Sequence, residues 1–555
     1  MSANSTDHAP PVGATPNRIP IDLRRLSSIR RLARDYAYDF GTLAPFYAGN
    51  PADPAAWSRV VQASQGHPRA RNEIAALIAA QQRARGAPQA AVEAAGRLAA
   101  PDTVAVLTGQ QAGLFGGPLF TLLKALTAIQ LAQRVTREQG VACVAVFWID
   151  GEDHDWDEVR SCTVLDASLA PHTLSLPTLA AGHAPPVASV RLDESIDDAL
   201  NGLEQALPAT EFRPELLSAL HAAYVPGTGM AEAFGRWLEH LLGARGLVVF
   251  DAADPAAKPL VAQVFAKEVA SRGETARRAA HAGAALAALG YHAQVQPASD
   301  ALALFRLADG RQPIRIEQQH LTVGDEQLDV QALAAAVAQR PSAFSPNVLL
   351  RPLVQDTLFP TVCYVAGPNE LAYLGQLRTV YEYFGVPMPL MYPRASVTLL
   401  DSSAMRFLAK HGVPLEALQA RDEGALNELL KAQIPEAVES AFGDTRTAVA
   451  TTMATLIERI PSVDATLEQT ARSTLSRMQH DLDTLHAKMI QATKRRDDTL
   501  RRQFTRTQAL AFPAGHAQER SIGLVSFLNQ YGRALIDRLE HLVPIDLGQH
   551  WVITI

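Results

Sequence analysis

Four short apolar runs, each ending in a cluster of polar residues, restrict the fold more tightly than any other feature of this chain. They are VAVLTG (104–109), VACVAVFWID (141–150), GLVVFDAAD (246–254) and TVCYVAGPNE (361–370). Each is apolar at odd and even positions alike, as a strand must be when helices cover both faces of its sheet. Helical patterns follow most of them. The expected fold is therefore α/β, with a doubly wound parallel sheet. A fifth run, MPLMY (388–392), adds a candidate strand before PRASVT.

The polar clusters sit at the carboxyl ends of these runs. The first gives Thr108, Gly109, Gln110 and Gln111. The second gives Asp150, Gly151, Glu152, Asp153, His154 and Asp155. The third gives Asp251 and Asp254, and the fourth Gly367, Pro368, Asn369 and Glu370. Open α/β sheets bind ligands beyond the carboxyl ends of their strands, so parallel strands would bring all four clusters to one rim. That convergence points to an active site.

The loop after the first run reads TGQQAGLFGGP. Gly109, Gly113, Gly116 and Gly117 permit positive φ and close approach of a ligand to backbone N–H groups. Pro118 suits a first helical turn, whose N-terminus offers partial positive charge to a phosphate or carboxylate. The loop lacks GK[ST] and is not GxGxxG, so it matches neither standard nucleotide fingerprint. A tight turn that binds nothing accounts for the glycines equally well. Lys124 lies about two turns into the helix, where it serves either the site or the surface.

GEDHDWDE (151–158) crowds five carboxylates around His154. That histidine is a candidate general base, flanked by Asp153 and Asp155, which would orient it or hold Mg²⁺. The bland alternative is a solvated acidic loop. A zinc site using His154 with Cys143 or Cys162 has no diagnostic spacing, and no metal is assigned. Arg351 and Gln355 stand just before the fourth run. Arg351 can fork a carboxylate or phosphate, or form a structural ion pair with Asp356 or Glu370. Arg394 and Ser396 follow the fifth run and would face the same rim.

The rest of the chain sets the domain plan. Residues 1–20 are polar and Pro-rich, without the apolar core of a signal peptide, and are expected to be disordered. Residues 21–424 form the core, with inserted segments at about 60–100, 166–235 and 273–340. The last of these carries a hairpin signal at Asp309-Gly310. Leu475, Met478, Leu482, Leu485 and Met489 make a heptad seam. The arm is expected over 425–510, with 511–555 returning to the core as a helix striped by Leu524, Leu528, Tyr531, Leu535 and Leu539. These two striped helices would fold as an antiparallel arm that forms a homodimer. A net charge of −7 gives no reason to expect nucleic acid. The basic run at Lys494-Arg495-Arg496 reads as a solvated helix face. The most apolar long window holds Lys124 and a Gly-Gly-Pro break, so no membrane span is expected. Three cysteines without a CxxC pair suit a reducing cytoplasm.

Five blocks together are more specific than any of them alone: TGQQAGLFGGPLFTLLKA, FWIDGEDHDWDEV, RPLVQDTLFPTVCYVAGPNELAY, PRASVT and PAGHAQERSIGLVSFLNQYG. They resemble, in order and over roughly residues 100–535, the characteristic blocks of the BshC family. The resemblance implies a Rossmann-like core with helical insertions and a C-terminal coiled-coil arm that forms a homodimer. It implies a cysteine ligase that condenses L-cysteine with glucosaminyl-malate to give bacillithiol. The core is similar to that of class I ligases and nucleotidyl transferases, with TGQQ standing where those enzymes carry HIGH. No zinc is carried over from the analogous cysteine-binding enzymes. Coupling to ATP, with Mg²⁺, would activate the cysteine carboxylate. On this reading the 109–117 loop holds phosphates or the activated carboxyl group, and His154 deprotonates the amine. Arg351 or Arg394 pairs with the malate carboxylates, and Asn369 and Glu370 take sugar hydroxyls or the cysteine ammonium. Two rival readings share the same rim: an ATP-dependent amide-forming ligase for another substrate pair, and a non-catalytic coiled-coil dimer that binds a ligand.

Overall fold

The computed structural model describes residues 18–179, 185–308, 310–318, 320–420, 422–432, 435–496 and 498–555, without the side chains of 493–496. They form two compact units. Residues up to 398 join with 518–553 in one, and 399–517 with 554–555 make the other.

The first unit is built on the expected parallel sheet. Its strands are β1 (Val104–Gln110), β2 (Cys143–Ile149), β3 (Val248–Asp251), β4 (Thr361–Ala366) and β5 (Leu390–Pro393). Their spatial order is β5-β4-β1-β2-β3, and every neighbouring pair is parallel. The chain winds outward in one direction from β1 through β3, then starts again beside β1 with β4. The order therefore reverses between β1 and β4, the place where such sheets open a crevice for ligands. Thr108 braces this junction rather than reaching a ligand: its side chain is buried and its hydroxyl donates to the Val365 carbonyl at 3.0 Å. Helix α1 (Leu119–Gln139) follows β1, and Pro118 is its N-cap rather than its first residue.

The inserted segments build walls. Residues 54–97 give three helices, among which Arg85 forks buried Glu239 at 2.8 and 3.0 Å. The hairpin signal holds, with Ala301–Ala308 antiparallel to Gly310–Glu317, while Asp309 lies outside the described residues. It grows into a five-stranded sheet with His320–Val323, Glu326–Leu328 and Phe344–Pro346. Helices α2 (Arg351–Leu358) and α3 (Pro368–Leu374) flank β4.

Three expectations about the domain plan change. Of the tail expected over 1–20, residues 1–17 lie outside the described residues, but Arg18–Asp22 is a strand antiparallel to Gln549–Thr554. The first unit ends at 398, not 424. The reason is packing: helix Ser402–His411 lays Phe407 against Phe504, and Asp401 pairs with Arg506 in the same unit. The arm is indeed antiparallel, but its partner is not the 524–539 stripe. Gly532, at φ 68°, splits that stripe into two short helices whose Leu524, Leu528, Leu535 and Leu539 are buried in the first unit. A Cβ at Gly532 would also meet Phe212 at 2.6 Å. The true hairpin runs from α4 (Glu436–Arg459) to α5 (Glu468–Arg496), joined by Arg446–Asp483 at 3.3 Å and Glu439–His486 at 2.9 Å. Helix α4 is rich in Ala and Thr and lacks a leucine stripe, which hid it. Leu475, Leu482 and Met489 are partly covered, whereas Met478 and Leu485 are 40% and 51% exposed. Among the described residues no helix is long and apolar enough to cross a membrane.

Candidate functional site

A cavity of about 520 Å³ lies at the reversal point, between the carboxyl ends of β1, β2 and β4. Of the expected residues, Gly109, Gln110, Gln111, Lys124, Asp150, Asp153, Arg351, Gly367, Asn369, Glu370 and Arg394 line it. Three of the four polar clusters therefore converge as the sheet topology requires. The fourth does not: β3 is the edge strand, and Asp251 lies off the cavity, its backbone held by Gln81 and its carboxylate by the Ala253 N–H at 3.0 Å.

Lys124 is no surface residue. It is 2% exposed, and its ammonium donates to the Gly109 carbonyl at 2.8 Å and to Gln110 Oε1 at 3.1 Å, and pairs with Glu370. Glu370 also accepts from the Tyr364 hydroxyl at 2.8 Å and from the Gly367 N–H at 2.7 Å, closing the first turn of α3. Burial alone would raise the Glu370 carboxyl, but the Lys124 charge and these donors hold it below its ordinary value. Burial also lowers Lys124, against the pull of Glu370 and with help from Arg394 and Arg351. The two shifts pull the pair's stability in opposite senses. Three separate donors converge on the Glu370 carboxylate and hold it in its charged form.

Arg351 does not pair with Asp356 or Glu370. It is buried, reaches Asp150 at 3.6 Å and donates to the Tyr373 hydroxyl at 3.1 Å. Gln355 lies behind it, accepting from Arg351 at 3.3 Å and donating to Asp356 at 3.0 Å, so it supports the arginine without lining the cavity. Burial raises the Asp150 carboxyl, Arg351 opposes this, and Asp153 adds to it. Glu152 points away, into a buried ion pair with Lys258. Ser396 likewise stands behind the wall: with Arg394 it holds Glu519, at 3.1 and 2.7 Å, and it touches His550 Nδ1 at 2.8 Å.

His154 and Asp155 do not line the cavity. The His154 side chain is 52% exposed and rests 3.3 Å from Asp153 Oδ1. Asp155 caps a helical turn by accepting from the Glu158 N–H at 3.1 Å. Asp153 is held by Gln111 Nε2 at 2.6 Å and approached by Arg311 at 3.7 Å, so the two aspartates do not gather around a shared ion. Among the described residues no three His, Cys, Asp or Glu are grouped to hold a metal.

The glycine loop spends its amides on the protein. Gly113 N–H bonds to the Gln111 carbonyl and Gly117 N–H to that of Leu114, at 2.9 and 3.1 Å. Gly116 N–H reaches the Gly113 carbonyl and the Tyr224 hydroxyl, and Leu119 N–H, at the head of α1, reaches the Ile522 carbonyl. Gly116 serves packing: at φ 93° a Cβ would stand 2.7 Å from the Trp237 indole nitrogen. An amide cradle for phosphate therefore does not fit this loop. Basic side chains remain as the means of holding one.

Sequence reasoning missed several lining groups: Arg311 from the inserted antiparallel sheet, Asn347 just after the strand Phe344–Pro346, Tyr364, Tyr373, Glu158 and Arg520. Arg520 and Glu158 fall within quoted blocks and were there to be read. Arg311 had no local signal, because its place depends on how the insertion folds back. Lys124, Arg311, Arg351, Arg394 and Arg520 thus face Asp150, Asp153, Glu158 and Glu370 across one cavity. Such a lining suits a ligand with several carboxylates or phosphates together with an amine.

Comparison with known proteins agrees with this architecture. Residues 19–395 match the family described as bacillithiol biosynthesis BshC, N-terminal Rossmann-like domain, and residues 397–555 its C-terminal coiled-coil domain. A Salinibacter ruber protein named "Putative cysteine ligase BshC" is 33% identical, covering 94% of this chain and 95% of its own length. Proteins of the same name from Symbiobacterium thermophilum and Koribacter versatilis are 33% and 31% identical, covering 92% and 94% of this chain and 95% and 96% of their own lengths. With both domains matched in sequence and present in the fold, the chain belongs to the BshC family of bacillithiol biosynthesis.

Proposed function

We propose that the 520 Å³ cavity condenses the carboxyl group of L-cysteine with the amine of glucosaminyl-malate to form bacillithiol. The observation that carries this reading is the set of five cations and four carboxylates meeting at the sheet's reversal point in a BshC-family chain. The malate portion brings two carboxylates, which suit Arg351 and Arg311, whose side chains both line the cavity. Arg394 is already engaged by Glu519, so it contributes field more than a free fork. Asn369 is exposed at the cavity mouth and suits sugar hydroxyls. Glu370 is committed to Lys124, Tyr364 and Gly367, which favours a fixed negative charge over a direct substrate contact.

Amide formation needs the amine without its proton. Asp150 faces the cavity and His154 does not, so we assign proton acceptance to Asp150. Its raised pKa moves it toward the range where a general base works best. The carboxylate of cysteine is a poor electrophile, and a nucleotide phosphate would supply the activation. Arg520 lines the cavity, which supports a reading in which it pairs first with that carboxylate and then with the phosphate attached to it. The exposed Met478 and Leu485 on α5 support a homodimer formed through the arm.

Small-thiol profiling of a strain lacking this gene tests the reading. Bacillithiol should vanish and glucosaminyl-malate accumulate. A strain that still makes bacillithiol, with no second copy of the gene, defeats it. An amide-forming ligase for another pair would leave bacillithiol untouched and deplete a different amide.

A further inference from the structure

A second cavity of about 270 Å³ lies on the far side of Gln110 and Gln111 from the first. The two share Gln110, Gln111, Phe120, Glu158 and Arg520 as a common partition. The larger is in the roughly 300–1,000 Å³ range of sites for drug-sized ligands, and the smaller falls below it.

Two glycines, Gly113 and Gly117, line the smaller cavity. A Cβ on Gly113 would stand 3.0 Å from the Gly117 Cα, and one on Gly117 would stand 3.3 Å from the Thr121 hydroxyl oxygen, so a side chain at either position would crowd its neighbours. Gly117, at φ 70°, also turns the chain in the left-handed region. Behind them lies the N-terminus of α1, a helix of 21 residues with partial positive charge at that end. An independent observation points to a ligand. Thr121 lines this cavity and is fully buried, yet its hydroxyl has no hydrogen-bond partner. A buried hydroxyl left unpaired costs about 1–3 kcal/mol, which a bound polar group would recover.

The charges in the lining are one of each sign, Arg520 and Glu158, both on the partition. Gln111 hydrogen-bonds Glu158 and donates to Asp153, fixing the partition between the cavities. The remaining wall is small and weakly polar, with the buried thiol of Cys162 kept neutral by a pKa raised to about 12.

We infer that this smaller cavity is the subsite for a compact α-amino acid in its zwitterionic form. Its carboxylate meets Arg520, its ammonium meets Glu158, and its side chain lies among Gly113, Gly117, Thr121 and Cys162. The amino acid's carboxyl group then sits at the partition, next to the amine held in the larger cavity. That the amino acid is L-cysteine rests on the function proposed above. The two-cavity division itself does not.

Isothermal titration of the full-length protein with L-cysteine, with glucosaminyl-malate and with inorganic phosphate tests this assignment. L-cysteine should bind saturably, and Thr121→Val should weaken it about fivefold, the worth of one hydrogen bond. Thr121→Ser should restore it. Ser161→Leu, which fills the cavity, should abolish cysteine binding. Glucosaminyl-malate affinity should be unchanged in all three variants, which also shows that they fold. Cysteine binding that survives Ser161→Leu, or that glucosaminyl-malate displaces competitively, overturns the assignment and leaves the proposed function standing. Phosphate binding that Ser161→Leu abolishes, with no cysteine binding, makes the cavity a phosphate site and overturns it likewise. Failure of both cysteine and glucosaminyl-malate to bind defeats the proposed function as well.

Discussion

Lys124→Met leaves Glu370 as a carboxylate inside the cavity wall with its cation gone. The Lys124 side chain is 3% exposed and that of Glu370 22%, so solvent can screen little of the loss. Breaking a buried pair from one side typically costs about 3–5 kcal/mol, because a desolvated charge remains. Glu370→Gln makes the mirror-image error and should cost a similar amount. The double variant leaves no charge, and it should be less damaging than the sum of the two by about 2 kcal/mol or more. Urea is the right denaturant, since guanidinium chloride would screen the interaction under test. All five tryptophans (57, 148, 156, 237 and 551) lie in the first unit, so their fluorescence follows its unfolding without interference from the arm. The pH dependence has a defined sign. Glu370 is held below its ordinary value of 4.5, so its contribution is complete above that pH and is lost as pH falls through the folded value. Single variants that each cost under about 1 kcal/mol and add without coupling would mean the pair behaves as a surface ion pair, and the reasoning would fail.

Four other outcomes follow from the same geometry. Asp150→Asn should lower turnover by about 10²–10⁴-fold, while His154→Ala keeps most of it; the reverse order in steady-state rates would return the proton to the histidine. Arg351→Lys should raise KM for glucosaminyl-malate more than it lowers kcat, because an ammonium cannot reproduce the planar fork; an unchanged KM removes Arg351 from the substrate contacts. Met478→Glu with Leu485→Glu should turn a dimer into a folded monomer in sedimentation equilibrium, and a wild-type protein that is already monomeric refutes the arm interface. His550, buried with a pKa lowered to about 4, should make stability fall as pH drops from about 6.5 toward 4, since only the unfolded chain takes up the proton there. His550→Gln should flatten that slope in urea titrations, and an unaltered slope assigns it to other groups.

The parts of this fold legible from sequence were those governed by short-range pattern. The runs around Val106, Val146, Val249 and Val365 could be placed because double-sided burial leaves a continuous apolar signature. Their carboxyl-end polar residues then located the cavity through topology alone. What escaped reading was set by contacts distant along the chain. The stripe from Leu524 to Leu539 has a helix's spacing, but nothing local says which surface it covers; Gly532 breaks it into two helices, and both are buried in the sheet unit. Arg311 enters the cavity because Ala301–Glu317 folds back as a hairpin whose destination no periodicity encodes. His154 reads as a candidate base through its company of carboxylates, yet its half-exposed side chain lies outside the cavity lining and Asp155 caps a helical turn. The glycines of the 109–117 loop signalled close approach correctly, yet Gly116 approaches Trp237 rather than a ligand.

The closing of the sheet unit by residues 518–553 has a consequence for how the protein is made. Glu519 fixes Arg394, Arg520 lines both cavities, and Ile522 accepts the first amide of α1. None of these groups exists until the ribosome has translated the whole intervening segment 399–517, on the order of ten seconds after β5 has been made. During that interval the nascent sheet lacks part of its own binding wall. A message truncated before Gln518 would yield a chain carrying nearly every residue of the site and lacking the groups that complete its wall.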